Sequence, residues 1–103
     1  MFKPGDVVTV LFPGAVATKR RPAVVVSTSL YHAHRPDVIV GLLTTNVAAA
    51  SAPTDYLLQD WSAASLRYPS VFRCYLLTFE ASALHPIGAL TEQDWLGVQN
   101  CLP

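Results

Sequence analysis

Residues that could bind an anion stand directly before an apolar run in the first quarter of the chain. Three consecutive cations, Lys19, Arg20 and Arg21, lead through Pro22 into three valines. Because proline disfavours the helical conformation at the residue before it, Arg21 is expected to be extended at the mouth of a buried strand. A guanidinium held there matches the oxygens of a phosphate group. The same pattern also fits a solvated basic loop in front of a core strand.

Hydroxyl and guanidinium groups follow in two later apolar runs. Thr44 and Thr45 come at the end of a nearly continuous apolar segment, so they place two hydroxyl groups at a strand terminus. Arg73 lies in the middle of another apolar segment. Considered by residue type alone, Thr44 is a strand-end hydroxyl and Arg73 is the partner of a carboxylate such as Asp55 or Asp60.

The histidine and cysteine spacings do not indicate a metal centre. His32 and His34 form a His-x-His pair, but no third or fourth ligand is spaced near them. Cys74 and Cys101 are far apart, lack CxxC spacing and are expected to be buried free thiols. We therefore predict no metal ion and no cofactor.

The composition indicates one compact domain over residues 1–103. The chain is 51% hydrophobic and 14% charged, with a formal net charge of zero, which argues against a disordered tail and against a basic surface all round. The charges are uneven, because the cations up to Pro36 outnumber a single carboxylate: Lys3, Lys19, Arg20, Arg21 and Arg35 against Asp6. A neutral chain can thus present a basic patch. It shows no signal peptide and no apolar run of transmembrane length, so a cytoplasmic protein that does not enter the membrane is expected.

Alternating apolar residues and turn signals predict a mainly β protein. Strands are expected at Asp6–Phe12, Pro22–Leu30, Asp37–Thr45, Thr54–Leu58, Ser70–Phe79 and Pro86–Leu90. Such short strands, joined by close turns, describe a small, strongly curved antiparallel sheet that is closed or nearly closed into a barrel.

Helical signals are few. Residues 31–36 are expected to be a connector, and residues 60–66 one to two helical turns with Asp60 as N-cap. Thr91 is predicted to cap a C-terminal helix, whose apolar stripe is Trp95, Val98 and Leu102.

Six segments, in order, resemble the PemK/Kid/MazF-like toxins of bacterial type II toxin–antitoxin systems. They are Gly5–Val8, Lys19–Ser27, Leu43–Thr45, Asp55–Leu58, Pro69–Val71 and Ile87–Leu90. The resemblance spans nearly the whole chain. It implies a small SH3-like barrel of the CcdB/Kid/MazF type with a C-terminal helix. It also implies a homodimer and a cognate antitoxin whose disordered tail wraps the toxin.

The resemblance further implies a sequence-specific, metal-independent endoribonuclease that cleaves single-stranded RNA, in particular mRNA. At matching positions, Arg21 would bind the phosphate and stabilise the transition state, Thr44 would hydrogen-bond the scissile phosphate, and Arg73 would act as the acid. The remaining RNA contacts would come from flanking cations, a neighbouring hydroxyl and stacking aromatic rings, namely Lys19, Arg20, Thr45, Tyr31 and Tyr75.

Several positions depart from the family pattern. Kid-like members have an aspartate as the proposed base where this chain has Tyr75, and MazF-like members often have glutamine where it has Asn46. The carboxylate or histidine found in the first loop of some members is replaced by Ala15, Ala17 and Thr18. His32 and His34 remain as substitute bases, since histidine titrates near neutrality. The alternative is a catalytically weak or inactive homologue that binds an antitoxin, nucleic acid or another protein.

Overall fold

The computed structural model describes residues 1–13 and 17–103, and six strands and two α-helices lie in that part of the chain. The strands are β1 (Asp6–Phe12), β2 (Lys19–Val25), β3 (Asp37–Thr44), β4 (Asp55–Leu57), β5 (Val71–Glu80) and β6 (His85–Ala89). Helix α1 (Ser29–His34) joins β2 to β3, and α2 (Glu92–Gln99) follows β6. Short 3₁₀ turns cover Val47–Ala49 and Ala81–Ala83. Ala15 is one of the first-loop positions at which this chain lacks the carboxylate or histidine of some family members, and it lies outside the described residues.

The strands form one antiparallel sheet in the order β4-β5-β3-β2-β1-β6. Register shifts between Gly41 and Leu43 in β3, and between Val7 and Val8 in β1, add curvature. In the described residues the hydrogen-bonded ladder ends at β4 and at β6. The fold is thus the predicted mainly β architecture with a C-terminal helix, and no ladder among the described residues joins β4 to β6. No helix in these residues is long and apolar enough to cross a membrane.

Each face of the sheet covers its own apolar cluster, because successive side chains of a strand point to opposite faces. We call the first core the cluster of Val7, Val24, Leu43, Leu58, Ala64, Phe72, Val98 and Cys101. We call the second core the cluster of Val8, Val10, Phe12, Ala23, Val25, Val38, Val40 and Leu84. The predicted stripe of α2 packs on the first core, with Val98 fully buried and Trp95 and Leu102 half-buried.

A buried carboxylate attaches α2 to the chain around β4. Asp94 is fully buried, and its Oδ1 accepts the Tyr56 hydroxyl (2.8 Å) and the Gln59 N–H (2.9 Å). Its Oδ2 accepts the Asp60 N–H (2.8 Å). The predicted cap is confirmed, since the Asp94 N–H donates to Thr91 Oγ1 (3.4 Å). Because each Asp94 oxygen has a donor, the burial of this charge is compensated.

Three local predictions were wrong. Strand β2 covers Lys19–Val25 rather than Pro22–Leu30, since its cations pair with the end of β1 and Ser29 and Leu30 belong to helix α1. The connector at residues 31–36 is largely helix α1, whose N-cap Thr28 accepts the Tyr31 N–H (3.2 Å). Asp60 does not cap a helix: its carboxylate accepts the Thr91 hydroxyl (2.8 Å), and residues 61–65 form turns.

The predicted thiols are both free, but they differ in burial. Cys101 is buried in the first core, whereas Cys74 on β5 is only half-buried. The Cys101 Sγ–H donates to the Gly97 carbonyl oxygen (3.4 Å), and burial raises the pKa of this thiol.

Candidate active site

Arg21 lies on the sheet face that covers the second core, just beyond the buried apolar residues of β2. It lies in β2 with its Cα opposite that of the buried Val10. By strand alternation its side chain shares a face with Ala23 and Val25 of the second core. Arg21 itself is half-buried. Arg21 thus continues a strand pair whose neighbouring residues are buried in the second core.

Thr44 is the last residue of β3, and it pairs with Val71 of β5. The ladder between β2 and β3 ends at the pair Ala23 and Leu42. Two residues further in the same register are Arg21 and Thr44. The intervening Pro22 has no amide hydrogen with which to continue the ladder. Continued by two residues, the register sets Arg21 opposite Thr44. Their side chains thus lie on the same face, at one end of the sheet.

Arg73 belongs to the same end of the sheet. It is exposed, follows Val71 by two residues on β5 and so shares a face with Thr44. Its Cα pairs with that of Asp55 on β4. The Asp55 Oδ2 instead accepts backbone N–H groups of the neighbouring turn, at Ser51 (3.3 Å) and Ala52 (3.2 Å).

The predicted ion-pair alternative for Arg73 is not found in residues 1–13 and 17–103. Asp55 uses its carboxylate in its own turn, and Asp60 binds the Thr91 hydroxyl. Strand alternation thus assigns Arg21, Thr44 and Arg73 to one face of the sheet, with two guanidinium groups and one hydroxyl among them.

The two aromatic candidates lie at different ends of the sheet. Tyr75 is 48% exposed, two residues beyond Arg73, and its ring centroid is 6.3 Å from that of Phe12. Tyr31 lies in α1, and its hydroxyl donates to Asp37 Oδ2 (2.8 Å) at the start of β3. That hydrogen bond raises the pKa of the Tyr31 hydroxyl. The sheet therefore brings Tyr75, but not Tyr31, to the end that carries Thr44.

His32 has a structural role at the far end of β2 and β3. Its Nδ1 donates to the Phe2 carbonyl oxygen (2.9 Å), and its Nε2 is hydrogen-bonded to the Ser27 hydroxyl. Ser27 Oγ also accepts the Ile39 N–H (3.0 Å). Since a carbonyl only accepts, neutral His32 carries its proton on Nδ1 and accepts the serine hydroxyl at Nε2. Neither His32 nor the exposed His34 of the same helix is brought to Arg21.

The three remaining candidates lie around the first strands and the end of β3. Lys19 and Arg20 are exposed on β2, and Arg20 Nη1 is 3.4 Å from Thr9 Oγ1. Thr45 follows Thr44 and lines a groove on the opposite face of the sheet. Among the described residues, no three histidine, cysteine, aspartate or glutamate side chains are grouped so that they could hold a metal ion.

The opposite face also contains residues that the sequence analysis did not select. Arg67 and Tyr68 line the same groove as Thr45, and Tyr68 is 64% exposed. In the sequence they are an ordinary arginine and tyrosine before Pro69, and nothing in their spacing indicates that they lie beside Thr45.

Comparison with known proteins gives the family and the fold. Residues 3–103 match the family of PemK-like, MazF-like toxins of type II toxin–antitoxin systems. No curated protein matches the sequence.

Several solved structures share the architecture. A mycobacterial endoribonuclease in complex with its cognate antitoxin superposes with a TM-score of 0.79 at 19% identity, covering 99% of this chain and 91% of that one. For the Mycobacterium tuberculosis toxin MazF-mt6 the TM-score is 0.74 at 19% identity, with 93% and 90% covered. For a MazE–MazF complex from Deinococcus radiodurans it is 0.71 at 17% identity, with 98% and 90% covered. At these identities the structures establish the fold.

Proposed function

Since the chain belongs to the PemK-like and MazF-like toxins of type II toxin–antitoxin systems, we propose that it is a metal-independent endoribonuclease that cleaves single-stranded RNA at preferred sequences. The chief support is the strand pairing, which puts Arg21 and Thr44 on the same face of the sheet. Arg73 lies on that face too, on the adjacent strand β5. This arrangement concentrates positive charge and a hydroxyl donor where a phosphodiester can lie.

RNA can be cleaved without a metal ion because its own 2′-hydroxyl is the nucleophile. The 2′-oxygen bonds to the adjacent phosphorus, the bond from phosphorus to the 5′-oxygen breaks, and the products carry a 2′,3′-cyclic phosphate and a 5′-hydroxyl. Negative charge grows on the phosphate oxygens in the transition state. Arg21 binds and stabilises those oxygens, and the Thr44 hydroxyl donates a hydrogen bond to them.

Arg73 acts at the leaving 5′-oxygen. A guanidinium stays protonated across the neutral range, so Arg73 stabilises the departing negative charge while solvent completes the protonation. Tyr75 occupies the position of the aspartate base of Kid-like members, and Asp55 is hydrogen-bonded within its turn. The 2′-hydroxyl therefore loses its proton to solvent. General-base catalysis typically contributes ~10²–10⁴ in rate, so we expect a slow enzyme.

Binding of the rest of the RNA involves the cations next to Arg21. The exposed side chains of Lys19 and Arg20 contact neighbouring phosphates. Thr45 contacts the RNA where it passes beyond Thr44, and the Tyr75 ring stacks on a base. Tyr31 lies at the other end of β3, so it contacts only an RNA long enough to span the sheet.

The proposed protein partners are an antitoxin and a second copy of this chain. The similar structures include an endoribonuclease with its cognate antitoxin and a MazE–MazF complex, which supports an antitoxin with a disordered tail. Leu57 and Tyr75, which strand alternation places on the face of Thr44, are 43% and 48% exposed, and a homodimer would cover part of this apolar surface. The proposed location is the cytoplasm.

The alternative is an inactive homologue that only binds RNA, and it is favoured by Tyr75 in place of the aspartate base. One experiment distinguishes the two functions. Purified protein free of antitoxin is incubated with a long RNA in EDTA. Discrete fragments that end in 2′,3′-cyclic phosphate support the ribonuclease. Intact RNA that remains bound to the protein supports the binding homologue.

A further inference from the structure

A groove of about 420 Å³ lies on the sheet face opposite Arg21 and Thr44. Its floor is the cross-strand pair of Thr9 and Pro22, one wall is the segment of residues 65–70, and Thr45 stands at the end of β3. This volume falls in the range of sites for small ligands, roughly 300–1,000 Å³. The groove is therefore large enough for a nucleotide.

The wall of the groove is held in place by contacts on its inner side. Ala64 is buried in the first core, and its carbonyl oxygen would lie 2.6 Å from a Cβ at Gly88 of β6, so only glycine permits this approach. The buried Ser70 hydroxyl donates to the Tyr68 carbonyl oxygen (2.9 Å). The backbone of Tyr68 is thus fixed, while its ring remains 64% exposed.

The lining combines an aromatic ring with positive charge. Arg67 and Tyr68, consecutive in the chain, both line the groove, and Arg20 donates a hydrogen bond to the lining residue Thr9 (3.4 Å). None of the residues that line the groove is acidic. Bases stack on aromatic rings in single-stranded nucleic acid complexes, and arginines bind the adjoining phosphates. The chemistry of the groove therefore complements an anionic ligand with a flat ring.

A second depression of about 410 Å³ shares Thr45 and Tyr68 with the groove, and its other lining residues are Val47 and Pro69. The two depressions are therefore adjacent, and Tyr68 lines both of them. This arrangement fits consecutive bases of a polynucleotide better than it fits a single free nucleotide.

We propose that the groove binds the nucleotide next to the cleaved phosphate of the RNA, with its base stacked on Tyr68 and its phosphate bound by Arg67 and Arg20. The proposal depends on the proposed ribonuclease function. Thr44 and Thr45 are adjacent in the chain but belong to opposite faces. A strand whose phosphate binds Arg21 and Thr44 reaches the groove by passing over the end of β3.

Photo-crosslinking locates the RNA base without requiring cleavage. Long RNA substituted with 5-iodouridine is irradiated with the protein, and crosslinked peptides are identified by mass spectrometry. The Arg21→Ala variant is included so that cleavage does not remove the RNA. We expect the crosslink at Tyr68. A crosslink found only at Tyr31 or Tyr75 would overturn the proposal.

Matched variants test the contribution of each group. Tyr68→Ala should weaken RNA binding about tenfold and change the base preference beside the cut, whereas Tyr68→Phe should behave as the parent. Arg67→Gln should reduce the slope of log affinity against log salt by about one, and Arg35→Gln, just after α1, serves as the control.

The outcomes separate this proposal from the proposed function. If Tyr68→Ala cuts the same sites at the parental rate and binds RNA equally well, the groove does not bind RNA while the ribonuclease assignment stands. If the parent cuts no RNA but crosslinks at Tyr68, the ribonuclease assignment fails and the RNA groove remains.

Discussion

The Tyr56 hydroxyl donates a 2.8 Å hydrogen bond to the fully buried carboxylate of Asp94, and this contact ties β4 to α2. Two backbone N–H groups, of Gln59 and Asp60, complete the donors to Asp94. An ionised carboxylate without water is stable only while such donors are present. The position of α2 over the first core therefore depends on Tyr56 remaining a neutral donor.

Removal of this donor should destabilise the protein. Tyr56→Phe keeps the ring but leaves one Asp94 oxygen with a single donor, so we expect the free energy of unfolding to fall by about 1–3 kcal/mol. Urea denaturation followed by tryptophan fluorescence measures it. The control is Tyr68→Phe, whose ring is exposed. Equal stability of the two variants would contradict a role for the Tyr56 hydrogen bond.

Alkaline pH should weaken the same contact. Burial, and then the hydrogen bond to Asp94, raise the pKa of Tyr56 to about 12 from an ordinary value of 10.0. Because the folded pKa lies above the unfolded one, this contribution to stability is complete below pH 10 and is lost as the pH rises through 12. The free energy of unfolding, measured from pH 8 to 12, should fall more steeply for the parent than for Tyr56→Phe. Parallel curves would refute this linkage.

A methyl group at Gly97 should be costly despite the better helix propensity of alanine. A Cβ there would overlap the Tyr56 ring, which the hydrogen bond to Asp94 keeps from moving aside. Gly97→Ala should therefore lower the melting temperature, with a cost of about 1–3 kcal/mol from overpacking. Leu96→Ala, on the exposed side of α2, is the control. An unchanged or raised melting temperature for Gly97→Ala would show that the ring can shift freely.

Loss of the Arg21 guanidinium should slow RNA cleavage without unfolding the protein. Arg21→Ala removes the group proposed to stabilise the phosphate oxygens, and we expect the rate to fall ~10²–10³-fold in a fixed-time assay on a long RNA. Arg35→Ala removes an exposed arginine at the end of α1 and should cut as fast as the parent. Parental activity in Arg21→Ala would exclude Arg21 from the mechanism.

The Thr44 hydroxyl is tested by a pair of conservative changes. Thr44→Ser keeps the donor and should cleave RNA within a few-fold of the parent, whereas Thr44→Val keeps the shape but should lose about tenfold or more in rate. Circular dichroism spectra of the two variants establish that the fold is intact. Equal rates for serine and valine would indicate that Thr44 only ends the strand.

Local sequence signals were sufficient where a short segment decides its own structure. Strand β1 has the predicted bounds, Asp6–Phe12, because the turn at Lys3–Asp6 precedes it and Pro13 follows it. Thr91 caps α2 as predicted, since capping involves neighbouring residues only. The six motif segments, taken together, were enough for the family, which the match over residues 3–103 confirms.

Tertiary structure alone decided which side chains meet. Arg21, Thr44 and Arg73 lie on three strands, and their common face follows from registers set by pairing across the whole sheet. His32 has neighbours for both ring nitrogens only because Phe2 and Ser27 pack against α1. Tyr68 and Thr45 line the same groove because the chain between β4 and β5 folds over the first core. Contacts between residues so far apart in the chain produce no periodic pattern in the sequence.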